Sequence, residues 1–70
     1  MANTYTAAIK QNGKWWIGWI EEVPGVNCQE KSREQLIESL KVTLREALDF
    51  NRQDAIREAA PDYTEEPLTI

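Results

Sequence analysis

The sequence predicts a small α+β domain, an antiparallel-rich sheet with helix on one face, in the order β-β-β-α-α-β. Three observations lead there. An alternating stretch runs into Asn12-Gly13 and then into an aromatic, β-branched run, which is the pattern of a hairpin. A proline-glycine turn at Glu22-Val23-Pro24-Gly25 leads into a further short strand. After Ser32, apolar residues switch from a period of two to helical spacing.

Each element has its own justification. From Thr4 to Lys10, Tyr5, Ala7 and Ile9 alternate with Thr6, Ala8 and Lys10, which predicts the first strand. Asn12 and Gly13 both tolerate positive φ, so a type I′ turn is expected between the first two strands. Trp15 to Glu21 forms the second strand, with Trp15, Ile17 and Trp19 on one face and Trp16, Gly18 and Ile20 on the other. Val26 to Glu30 returns beside it.

Ser32-Arg33-Glu34-Gln35 has the form of a capping box, so a helix begins at Arg33. Leu36, Ile37, Leu40, Leu44, Ala47 and Leu48 make its buried stripe. Continued past Phe50, that helix would carry Ile56 round to the polar side. A break at Asn51, acting as a new cap, is expected instead, with Ala55, Ile56, Ala59 and Ala60 grouped on a second helix. Pro61-Asp62 ends it, and Leu68, Thr69 and Ile70 read as a terminal edge strand after Pro67.

Seventy residues hold one core and no second domain, so residues 1–70 are read as a single unit. Chains this short usually add disulfides, a metal or a partner subunit. Cys28 is the only cysteine and there is no histidine, so no internal disulfide forms and a metal would have to rest on carboxylates and one thiolate. Self-association is the remaining aid, as a homodimer or tetramer. Apolar runs stop far short of a membrane span, and Met1 to Thr6 has no basic flank or apolar stretch of a secretory signal. A soluble, cytoplasmic protein is expected.

The chemistry-bearing residues are few. Without histidine, a general base would have to be a perturbed carboxylate or lysine, and nothing nominates one, so no enzymatic activity is expected. Cys28 sits in a strand without a metal or redox motif and reads as a packed side chain. Gly13, Gly18 and Gly25 are too scattered for a phosphate-cradling loop, and no cofactor is expected. The formal net charge of −4 disfavours contact with phosphate backbones. Three tryptophans could stack bases on an open sheet, but core or interface roles fit the acidic balance better.

The second strand is apolar on both faces, and helix on one face can cover only one of them. The other face therefore meets a partner. Trp15, Trp16, Trp19 and Ile20 are the candidate interface residues, with Phe50 and Tyr63 as runners-up.

The run Gly13-Lys14-Trp15-Trp16-Ile17-Gly18-Trp19-Ile20-Glu21-Glu22-Val23-Pro24-Gly25-Val26, followed by Cys28-Gln29 and the Ser32-capped helix, resembles the HicB family of antitoxins from about Tyr5 to Leu48. Glu30 stands where that family usually has glycine, Gln35 where it usually has glutamate, and Val26 where cysteine is common. The resemblance implies a partial ribonuclease H-like fold with strand order 3-2-1-4 and no catalysis. It also implies an antitoxin role in a type II toxin-antitoxin pair, neutralising a small basic, mRNA-cleaving HicA-like toxin by protein-protein binding. Many relatives carry a C-terminal ribbon-helix-helix or helix-turn-helix segment that binds the operator. No such segment is read here, so direct DNA binding is not expected. The alternative is an orphan homo-oligomeric scaffold that has lost its toxin.

Overall fold

The computed structural model describes residues 4–69, in which three strands precede one helix: β1 Ala7–Asn12, β2 Trp15–Ile20, β3 Asn27–Glu30 and α1 Arg33–Ala59. The α+β class is as the sequence predicts. The sheet is antiparallel throughout in the order β1-β2-β3, with Asn12 opposite Trp15 and Trp19 opposite Asn27.

The first connection differs in kind from the expected turn. Asn12 is still paired in β1, and the loop is Gly13-Lys14 with positive φ at Gly13 alone (63°). A glycine at the first central position is the pattern of a type II′ turn, whose twist suits a hairpin as well as I′ does. The second connection closes where the amide of Val26 donates to the carbonyl of Val23 at 3.3 Å, with Pro24 and Gly25 (φ 89°) between them. Proline then positive-φ glycine is the type II arrangement. The amide of Ile20 donates across this loop to the Val26 carbonyl at 3.0 Å. That of Glu21 donates to the Thr6 carbonyl at 2.9 Å and prolongs the β1–β2 pairing.

The Ser32 hydroxyl accepts from the amide of Gln35 at 3.1 Å and caps α1 at the predicted place. Ser32 itself is extended, as a cap should be. The helix packs over β2 and β3. Ile20, Val26, Leu36 and Leu40 form the buried core, with Tyr5, Ala7, Ile9, Trp16, Val23, Cys28, Leu44 and Ala47 packed round it.

Two expectations need correction. There is no break at Asn51: α1 runs unbroken through Phe50, Asn51 and Asp54 to Ala59. Side-chain pairs one turn apart bridge the expected break, Gln53 donating to Asp49 at 2.9 Å and Arg57 to Asp54 at 3.0 Å. Ile56, whose position prompted the break, does turn away from the sheet. It is half-buried there, beside the returning segment of Tyr63, Thr64 and Glu65, so its side of the helix is partly covered. The helix stops because Ala60 is extended (φ −61°, ψ 155°), the conformation favoured before a proline. The terminal strand is the second correction. Leu68 and Thr69 pair with nothing in the sheet, Leu68 is 89% exposed, and Ile70 lies outside the described residues.

Candidate functional site

Glycine decides which face of β2 the helix covers. Gly18 lies on the inner face opposite Ile9 and Cys28, directly under the helix. A Cβ at this position would stand 2.8 Å from Leu40 Cδ1 and 3.2 Å from Leu36 Cδ2. A side chain here would force the Leu40 and Leu36 methyls or the helix itself to shift, so the close approach of α1 is fitted to its absence. Trp16 and Ile20 flank Gly18 on the same face. Ile20 is 7% exposed and belongs to the core, and Trp16 is half-buried against it. These two residues therefore leave the expected exposed interface, because alternation along β2 sends them under the helix.

The opposite face has no cover among the described residues. Its cross-strand rows are Ala8–Trp19–Asn27, Lys10–Ile17–Gln29 and Asn12–Trp15. Trp15 is 36% and Trp19 42% exposed, with Ile17 half-buried between them. Four residues of strand separate the two indoles by roughly 13 Å. The surround is amide and methyl: Lys10 is the one charged member of these rows, and no carboxylate stands in them. An aromatic ridge rimmed by asparagine and glutamine can bury apolar area while its rim keeps hydrogen-bonding capacity, the usual composition of a protein interface.

Phe50 and Tyr63 are remote from this ridge. Phe50 is 65% exposed on α1 beyond the end of the core, and Tyr63 is 44% exposed in the segment after the helix. The structure thus sets Trp15 and Trp19 on one face, sends Trp16 and Ile20 to the core side, and leaves Phe50 on the distal part of the helix and Tyr63 in the segment after it. A further apolar groove of about 420 Å³ opens between β1 and α1, lined by Tyr5, Ala7, Ile37, Lys41 and Leu44 among others.

The inner face also holds Cys28, the one thiol, which the sequence marks as a packed side chain. Cys28 Sγ lies 3.4 Å from Thr43 Oγ1, half-buried between sheet and helix. Ser39 donates to the Glu30 carboxylate at 2.7 Å and ties the end of β3 to α1. Glu22 accepts from the Thr6 amide at 2.7 Å, and that hydrogen bond holds its carboxyl below the usual range. Among the described residues no group of three or more histidine, cysteine or acidic side chains is placed to hold a metal ion. No helix there is long and apolar enough to cross a membrane.

The residue that sequence reasoning passed over is Gly18. An isolated glycine within a strand pattern signals close approach of another element, and would have assigned the two faces in advance. No family model, curated protein or solved structure matches this chain.

Proposed function

We propose that this chain is a non-catalytic binding protein of the antitoxin type, which pairs with copies of itself through the outer sheet face and masks a small basic mRNA-cleaving toxin. The observation that carries the self-association is the uncovered Trp15–Ile17–Trp19 ridge on a chain with only four buried large apolar side chains among its described residues. Contiguous apolar surface of this kind marks interaction sites, and a core this small gains from a partner. The antitoxin role rests on the likeness of residues 5–48 to HicB antitoxins. An acidic chain suits it, because electrostatic complementarity speeds encounter with a basic ribonuclease and covers its RNA-binding face.

The test has two arms. The tagged protein is used to recover a small basic protein from its host, and the ribonuclease activity of that protein is measured with and without added chain. Loss of activity supports the antitoxin role. Undiminished activity, or recovery of the chain alone, removes the toxin and leaves the orphan oligomer.

The second arm is sedimentation of the Trp19→Ala variant. Truncating an interface aromatic of this kind costs about 2 kcal/mol or more, so the variant should shift toward monomer. Unchanged sedimentation would show that the outer face is not where copies meet.

A further inference from the structure

We propose that the distal half of α1, together with the segment that follows it, is a docking surface for a cationic polypeptide and is distinct from the sheet face through which copies pair. This rests on the reading of the chain as a binder of a basic partner and says where that contact is made.

The first argument is mechanical. A helix of 27 residues is roughly 40 Å long, whereas a six-residue strand covers roughly 20 Å. The last helix residues packed on the core are Leu44 and Ala47, and α1 then continues to Ala59 beyond the sheet. The result is an elongated molecule, with a radius of gyration of 15.2 Å against about 11 Å for a compact chain of this length. Helical segments of about a dozen residues are marginal without packing. Here the support is the exposed Asp54–Arg57 and Arg52–Glu65 pairs, at 3.0 and 3.9 Å, together with Asp49–Gln53.

The second argument is charge. Residues 48–69 contain Asp49, Asp54, Glu58, Asp62, Glu65 and Glu66 against Arg52 and Arg57, a net −4. Residues 1–47 carry six acids and six bases, so the whole formal charge of the chain resides in this arm. On it, Phe50, Asp54 and Glu58 are spaced i, i+4 and i+8, one exposed row that joins an aromatic to two carboxylates. That row matches a partner with basic residues round an apolar patch. A second copy does not fit, because pairing two arms would set −4 against −4. The outer sheet rows, with Lys10 as their single charge, carry no such penalty.

The probe is a dye-labelled amphipathic peptide of leucine and lysine, titrated with the full-length protein by fluorescence anisotropy at low and high salt. Salt-sensitive binding is expected. The Asp54→Lys/Glu58→Lys variant should weaken it about tenfold, while Glu21→Lys/Glu38→Lys, with the same charge change elsewhere, should leave it within about twofold. Asp54→Lys also breaks the Asp54–Arg57 pair, so circular dichroism checks that the distal helix is kept, and Glu58→Lys alone, which breaks no ion pair seen among the described residues, should weaken binding about threefold.

Phe50→Ala, which keeps the charge and raises helix propensity, should weaken binding several-fold. Absence of binding, or equal weakening by the control pair, overturns the docking surface. Sedimentation with saturating peptide reads its separation from the sheet face: the self-associated species should persist, and its dissociation by the peptide overturns that separation. The peptide is no ribonuclease, so its binding is read independently of whether the natural partner is a toxin.

Discussion

Replacing Gly18 with alanine isolates the contact that seats the helix on the sheet. Gly18 has no positive φ, so the backbone accepts alanine without strain. In a strand interior the change by itself gains roughly 0.5–1 kcal/mol, since glycine loses more chain entropy on folding. Against that stands the new methyl, 2.8 Å from Leu40 Cδ1 and 3.2 Å from Leu36 Cδ2. Leu36 is fully buried and Leu40 is 2% exposed, so relieving the contact means repacking one of them inside the core. Overpacking a core in this way costs about 1–3 kcal/mol, so the net effect runs from near neutral to a loss of about 2.5 kcal/mol, with about 1 kcal/mol as its middle.

For a chain of this length a loss of about 1 kcal/mol lowers Tm by roughly 4–8 °C, measured by circular dichroism at a fixed protein concentration so that self-association contributes equally. The Leu40→Ala background removes the obstructing methyl and supplies the control. There the same Gly18→Ala change should be neutral or stabilising, a coupling that a double-mutant cycle reads directly. A Gly18→Ala variant more stable than the parent, or one whose effect is the same in the Leu40→Ala background, would refute the argument that the absent side chain sets the helix position.

Ser32→Ala removes the oxygen that accepts from the Gln35 amide and should cost about 1 kcal/mol, seen as an earlier loss of helix signal on heating. Glu22 accepts from the Thr6 amide, which lowers its folded pKa, so this contact stabilises the fold above the ordinary carboxylate range and is lost as pH falls through the lowered value. The Thr6 amide resonance should therefore titrate in acid, and Glu22→Gln should abolish that titration; a pH-independent Thr6 signal in the parent would show the contact to be absent.

Local chemistry was legible where one residue type dictates one geometry. Ser32 before a leucine stripe placed the helix start, and Pro24-Gly25 placed the turn between β2 and β3. The hairpin was legible but its turn type was not. Asn-Gly suits several turns, and register decides which residues lie in the loop, a property of paired strands rather than of either alone. The far half of the helix was misread because hydrophobic periodicity assumes one buried direction. Ile56 is half-buried beside the segment at Tyr63 and Glu65, on a side that a sheet-facing pattern scores as polar. Leu68 and Thr69 carry strand-like composition, but a strand exists only where an edge pairs it.

The same distinction bears on how the two surfaces divide the work. In the antitoxin reading, pairing through Trp15 and Trp19 would bury the outer sheet faces against each other, with the helices on the far sides of the layers. Each acidic arm would then extend from the assembly instead of being consumed by it. A neutral aromatic face beside a charged arm allows one chain to gain stability from its copies without competing with its partner for surface, because the like charge that favours a basic ligand also keeps the arms of two copies apart. Placing all the excess charge after residue 47 would make the two proposed interactions compatible. Spread evenly, the same acids would repel at the sheet face and weaken both.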